Sequence, residues 1–531
     1  MKKANIWVII CLAIITVGVF IVFIFPNKAG SVDEAMVNIF QPDEYATWTV
    51  VDRMTFPKPD RPSFLQHYFL YNFYHYGFPY FSISSIPVFF ARWINQIDNM
   101  SFIMACLRQF VNVLPSLIAI LILVYIQDQF KSYKSILLYI LLISVPAVVK
   151  NNMWWHPDGL ALLFSVLVLF FLWKDEQKFG KHFYIAAIFA GILTATKLIG
   201  VFFLITIVPI LLMQLKAKKW RFVELVGHWS LFAVIMAVSF LISNPFLFTM
   251  EGITRYFFTL YNEFTQISAG YDLVYNKGFA SAWAGIQPSY GQLPFFIALV
   301  FSFFLGFRDK AKQKTALLLL CWLIPLTFTV LFTTHFKYQY WLPAVLPAFS
   351  MLYCLLPDKT QWKEDKLWLK IARTGFVAIT VVQLIFFNIQ NVQAIREQIQ
   401  REQTSESVKF YHQAIEVLEP TRNQKMNVYY DYRVYIPFDS YPWYLNTAFE
   451  MLDYSYIKDN NFDILLLINQ RVKDYLNPNA EGINEDKLVT ARVFYTDVRD
   501  NQIKSYILLY EDNFGKAFIR EDLYEIYYKT P

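Results

Sequence analysis

Asp43 and Glu44 stand side by side in "IFQPDEYATW" (39–48), directly after the first long apolar segment of the chain. A carboxylate in such a place suits a general base that takes a proton from an acceptor hydroxyl. Three more stretches carry reactive side chains at the ends of apolar runs. "NNMWWHPDGLALLF" holds His156 and Asp158, "TATKLIGVF" holds Lys197, and "TTHFKYQYWLPAVLP" holds His335, Lys337, Tyr338 and Tyr340. Lysines at a membrane surface suit a phosphate, as point charges with rotatable donors. Tyrosines and tryptophans offer flat faces and hydroxyls to a sugar ring or an isoprenoid chain. A base, a phosphate clamp and a greasy groove are the parts needed for inverting glycosyl transfer from a lipid-linked phosphosugar. No glycine-rich nucleotide loop or Walker motif is evident, so a nucleotide-sugar donor is not supported.

Each residue also has an ordinary reading. Acids are common in wet loops, and Asp158 could simply be a helix N-terminal acid favoured by the macrodipole. His156 could bond a loop backbone, Lys197 could snorkel to headgroups, and Tyr338 and Tyr340 fit an interfacial aromatic belt. The argument for a site is their co-location: four separate segments bring ionisable groups to one membrane face, where such groups are costly.

The elements that must position them are membrane helices. The chain has 531 residues, 56% of them hydrophobic and 19% aromatic, with a mean hydropathy of +0.35. A bilayer needs roughly 20 apolar residues per helix, and the runs sort into about eleven spans. Their expected bounds are 6–25, 101–126, 134–149, 157–173, 182–195 and 198–214, then 222–243, 291–307, 315–332, 341–356 and 369–388. The first run lacks a small-residue cleavage site and reads as an anchor. The cysteines (Cys11, Cys106, Cys321 and Cys354) lie in or beside apolar runs without metal-ligand spacing. The modest net charge of +6 reports orientation, not a nucleic-acid partner.

Lysine-rich loops alternate with lysine-poor ones. "QDQFKSYKS", "WKDEQKFGKH", "LKAKKWRF", "RDKAKQKT" and "PDKTQWKEDKLWLK" all fall on the side of the amino-terminal "MKK". The positive-inside rule makes that side, and the N-terminus, cytoplasmic. This holds if 79–93 is an interfacial helix lying along the outer surface. The outer face then carries the long first loop 26–100, loops 150–156, 244–290 and 333–340, the turn at Lys197 and everything after 389. In the first of these, "EYATWTVVDRM" predicts a short helix. Residues 390–531 read as a soluble α/β domain, with strands expected in "FDILLLIN", "VTARVFYTDV" and "KSYILLYED" and helix in "QNVQAIREQIQREQTSESVKFYHQAIEVLE".

"QPDE" after a first span, followed by a long outer loop, resembles the GT-C superfamily of membrane glycosyltransferases. The likeness is to the branch of protein O-mannosyltransferases and lipid A aminoarabinose transferases. "LRQFVNVLPSLIAIL" is similar to the arginine-led second span of that family, with Arg108 in place. "WWHPDGLALL" resembles its acid at the outer start of a span, and "KYQYWLPAVLP" its basic-aromatic-proline segment. The family's Glu-Lys-Pro-Pro surface stretch is replaced by "YHYGFPYF", which keeps Pro79 but neither charge. Lys197 or Lys337 would then stand in for the missing phosphate-binding lysine.

The resemblance implies a polytopic α-helical membrane protein, with a GT-C-like catalytic domain over 1–389 and an extracytoplasmic α/β domain over 390–531. It implies an inverting glycosyltransferase of the plasma (inner) membrane, working on its outer side. The partners would be a polyprenyl-phosphate sugar donor and a glycan, lipid or protein acceptor. Asp43 is the expected base, assisted by Glu44 through a hydrogen bond or a divalent metal ion shared by the two; no other cofactor is expected. Lys197 and Lys337 would hold the donor phosphate, with His156, Asp158, His335, Tyr338 and Tyr340 shaping the sugar and acceptor site. The alternative is a transporter or flippase of lipid-linked or sugar substrates. Such a protein places its charges mid-span, often within inverted repeats; here they sit at span ends and no inverted repeat is apparent.

Overall fold

The computed structural model describes residues 4–56 and 63–529. Among these, six helical runs are long and apolar enough to cross a membrane: Ile6–Lys28, Met100–Asp128, Leu198–Lys216, Phe222–Ile242, Gln313–Thr333 and Leu367–Val417. Two bent pairs also qualify when each is taken as one span. Lys134–Ile143 and Pro146–Asn152 meet at 63°, and Phe279–Tyr290 and Leu293–Arg308 at 82°. The first bend falls where Pro146 can offer no N–H to continue the hydrogen-bond ladder. The second falls at Gly291, whose φ of 108° is a conformation that a side chain would strain.

The remaining segments expected to span, in Asp158–Asp175, Lys181–Thr196 and Tyr338–Leu355, are also helical. Lys181–Thr196 is apolar but short. Tyr338–Phe349 contains Pro343 and Pro347 and gives way to a 3-10 turn. All three lie inside the bundle, with Leu162, Val166, Ala187, Ala190, Leu346 and Phe349 buried in one core.

The basic loops gather at one end of the bundle. The Asn5 amide donates to the Phe130 carbonyl (3.0 Å). Lys134 pairs with Asp358, Lys312 reaches Gln127, Lys314 reaches the Glu176 carbonyl and Gln361 reaches Asp309.

The segment expected to lie along the surface is the helix Phe78–Trp93, which contains Pro87. It packs against Pro42–Thr55 and Met100–Arg108 and is not among the runs that pass as spans. Together they enclose a second core, rich in aromatic rings: Trp48, Tyr71, Tyr80, Phe81, Trp155 and Phe246.

Residue 389 falls inside one unbroken helix, Leu367–Thr404, which carries the chain out of the bundle. Beyond the Ser405-capped helix Glu406–Val417 lie β1 (Asn427–Tyr430), β2 (Tyr444–Asn446), β3 (Ile464–Ile468), β4 (Tyr506–Glu511) and β5 (Gly515–Arg520). Their order is β2-β1-β3-β5-β4. The first three are parallel, and β5 runs antiparallel to both β3 and β4. β3 is buried along its whole length, as its apolar run requires.

One expected strand is a helix. "VTARVFYTDV" lies in Glu485–Arg499, capped by Asn484, with Leu488, Ala491, Phe494 and Val498 buried. Those four residues recur every third or fourth position, so the helical period overrides the local alternation.

This domain is tied to the rest of the chain by a shared core and by backbone hydrogen bonds. Ala35, Met36 and Ile39, from the helix Glu34–Phe40, belong to the same core as Phe410, Val428 and Ile464. Val274 and Asp272 exchange backbone hydrogen bonds of 2.9 Å with Glu481 and Ile483.

Candidate active site

Pro42 opens the helix Pro42–Thr55, where its missing N–H costs nothing, and Asp43 and Glu44 occupy the first turn. Consecutive helical residues point about 100° apart, and these two meet opposite surroundings. Glu44 is fully buried. Its carboxylate takes Arg108 side-on, with Nε to Oε1 at 2.8 Å and Nη2 to Oε2 at 2.5 Å. Oε1 also accepts the Trp155 amide at 2.6 Å. The remaining Arg108 nitrogen donates to the carbonyls of Asn27 (2.8 Å) and Ala29 (3.2 Å). A buried ion pair is tolerable when its donors and acceptors are matched in this way.

Asp43 is exposed, and its carboxylate has no ion-pair or side-chain hydrogen-bond partner among the described residues. This corrects the expectation for Glu44. Both of its oxygens are engaged in holding Arg108 and Trp155, and neither bonds Asp43. Among the described residues no group of three or more His, Cys, Asp or Glu is arranged to hold a metal ion.

A second chain of polar contacts runs alongside. Asp158 is fully buried at the start of its helix. One of its oxygens meets Lys197 and the other meets Nδ1 of His156. Nε2 of His156 lies 2.7 Å from the Tyr76 hydroxyl. The Trp154 ring stacks on the imidazole at 4.1 Å, and the His156 amide donates to Asn112 at 3.1 Å.

The Lys197 ammonium also sits over the Tyr340 ring, 4.3 Å from its centroid, a cation–π contact. Lys337 approaches the same ring at 5.7 Å and has no carboxylate partner among the described residues. Lys197 is therefore largely neutralised by Asp158, and of these two lysines Lys337 is the one left open to an anion.

Asp43 belongs to the same neighbourhood. Burial pushes the Tyr76 hydroxyl well above the usual phenol range, and Asp43 is the charge that adds most to that effect, ahead of Tyr340, Tyr80 and Asp158. Burial, then Glu263, Tyr275 and Asp43, push Tyr271 up to about 12.

His335 lies beside this group, stacked on Tyr275 at 4.4 Å. Burial holds its imidazole below the usual range, opposed by a hydrogen bond to the Asn276 backbone and reinforced by Lys337. Tyr338 turns towards another element: Lys150 lies 5.9 Å from its ring, and its carbonyl accepts the Tyr290 hydroxyl. Asp43, His156, Asp158, Lys197, Lys337 and Tyr340 thus converge, His335 is beside them, and Glu44 is tied beneath.

Tyr76, Trp154 and Tyr271 escaped the sequence reading. Tyr76 sits in "YNFYHYGFPY", where six of ten residues are aromatic besides the histidine, so composition does not single it out.

The sequence matches no protein-family model, and no curated protein matches it. Solved structures do. ArnT from Cupriavidus metallidurans, bound to undecaprenyl phosphate, is 11% identical and superposes with a TM-score of 0.56 over 95% of this chain and 97% of that one. The same protein in the apo state gives 0.54 at 10% identity, over the same shares. The apo oligosaccharyltransferase of Archaeoglobus fulgidus gives 0.53 at 14% identity, over 88% of this chain and 70% of that one. Along nearly its whole length, the chain has the fold of these membrane proteins.

Proposed function

We propose that the chain is an inverting glycosyltransferase that moves a sugar from a polyprenyl-phosphate donor to an acceptor on the extracytoplasmic face of the plasma membrane. The observation that carries this reading is the free, exposed carboxylate of Asp43, held at the first turn of a helix whose neighbouring acid is locked to Arg108. A base must be uncommitted to take a proton. Lys337 supplies the positive charge for the donor phosphate, and Lys197, shared with Asp158, closes that side. His156, Asp158, His335, Tyr338 and Tyr340 shape the sugar and acceptor site. The fold shared with ArnT, whose structure holds undecaprenyl phosphate, supports a lipid-phosphate donor.

The topology proposed is eleven spans with a cytoplasmic N-terminus. Its support is the clustering of the N-terminal segment with the lysine-rich loops at one end of the bundle. The domain over 390–531 then lies outside and covers the site through Glu34–Phe40 and the Asp272–Val274 bridge.

The test is turnover. Purified protein in nanodiscs is given a panel of polyprenyl-phosphate sugars, and release of polyprenyl phosphate is followed. Release from at least one donor is expected; neither turnover nor binding of any donor would refute the proposal.

A further inference from the structure

We propose that Tyr76 recognises a hydroxyl of the transferred sugar, acting as an obligate hydrogen-bond acceptor whose polarity is set by His156. This rests on the transferase reading above and adds a residue and a selectivity to it.

Asp158 is buried and held by Lys197, which keeps it a carboxylate. The histidine nitrogen facing a carboxylate must carry the proton, so Nδ1 of His156 is the N–H. In a neutral imidazole the other nitrogen then offers only a lone pair. The Tyr76 hydroxyl, 2.7 Å from that nitrogen, donates to it. The tautomer is assigned here from the partners on the two nitrogens.

A tyrosine has one hydroxyl proton, and here it is used. What remains open on the half-buried Tyr76 oxygen is lone-pair density, in the neighbourhood of Asp43 and Tyr340. Such an oxygen repels a phosphate and accepts from an O–H. The stack of Trp154 on the imidazole and the His156 amide bond to Asn112 hold the ring in this orientation.

The division of labour is then chemical. The donor phosphate goes to Lys337, the nucleophile to Asp43 and a sugar hydroxyl to Tyr76. A site built to bond a hydroxyl rejects an analogue that lacks it, because its buried polar group is left unpaired.

The full-length protein in nanodiscs would be titrated with undecaprenyl phosphate alone, with sugar-bearing polyprenyl phosphates, and with matched deoxy-sugar versions of whichever donor binds. In Tyr76→Phe, affinity for the sugar donor is expected to fall about 10-fold, and the preference for the hydroxylated over the deoxy sugar to vanish. Binding of undecaprenyl phosphate alone should not change, which also reports an intact fold. Equal losses for the sugar donor and for bare undecaprenyl phosphate would make Tyr76 a phosphate or structural contact and overturn the proposal. Unchanged sugar affinity would overturn it too. A wild type that neither binds nor turns over any sugar donor would instead refute the transferase reading, and the Tyr76 assignment with it.

Discussion

Asp43 and Glu44 are adjacent in one helix, yet Glu44 is sealed against Arg108 with 2.5 and 2.8 Å hydrogen bonds while Asp43 is exposed and unpaired. The two acids therefore have separable jobs. One anchors the helix, and the other is presented by it.

Stability should separate them. Arg108→Ala leaves Glu44 as an unpaired buried charge, a loss of about 3–5 kcal/mol in comparable pairs. Its apparent Tm in detergent should fall well below that of the wild type, and Glu44→Gln should fall in the same direction. Asp43→Asn should unfold with the wild type. A clear loss of Tm in Asp43→Asn would mean that its carboxylate is also structural.

The two lysines should also part company. Lys337 has no carboxylate partner among the described residues, so Lys337→Ala should raise KM for the donor about 10-fold or more, the value of a lost charged hydrogen bond, and leave Tm unchanged. Lys197→Ala strips the cation from buried Asp158 and should lower Tm as well as activity. Donor KM values and melting curves of the two variants are the comparison. A stable, active Lys197→Ala protein would contradict the pairing.

The domain over 390–531 should hold the anchor in place. Glu402, on the helix that leaves the bundle, accepts the amides of Gly30 (2.5 Å) and Ser31 (3.3 Å). Arg401 donates to the Ala29 carbonyl at 2.6 Å, a group that Arg108 also bonds. Glu402→Ala removes an acceptor worth about 1–3 kcal/mol to those amides. Hydrogen exchange at Gly30 and Ser31 should quicken by about tenfold or more. Unchanged exchange would show that the domain does not brace this loop.

Acid should weaken the protein partly through His335. Its imidazole is held below the usual range, so the unfolded chain takes up a proton first as pH falls. Above a pH of about 6.5 both states are neutral and the residue contributes nothing. Below it, stability is lost until the folded imidazole also protonates. His335→Phe keeps the stack on Tyr275 and removes the titration, so its Tm should fall less than that of the wild type between about pH 7 and 5. Parallel curves would contradict this.

What could be read in advance followed from local physics. Long apolar runs announce membrane helices because length and hydropathy are properties of the chain itself. Asp43, Asp158, Lys197 and Tyr340 could be marked because ionisable or amphipathic groups at span ends are unusual. Their pairing could not. His156 and Tyr76 are 80 residues apart, and Glu44 and Arg108 are 64 apart. Nothing in "PDE" says which acid the helix will turn inward. The misread segment 489–498 shows the same limit: over so few residues, apolar alternation and helical spacing overlap, and the core the segment packs against decides between them.

The most direct test of the account is single-turnover transfer by wild type and Asp43→Asn, with a donor that the wild type uses and both proteins shown to bind it. Loss of a positioned general base should slow transfer about 10²–10⁴-fold with donor affinity and Tm unchanged. Transfer at a near wild-type rate would remove Asp43 from the chemistry and contradict the central claim.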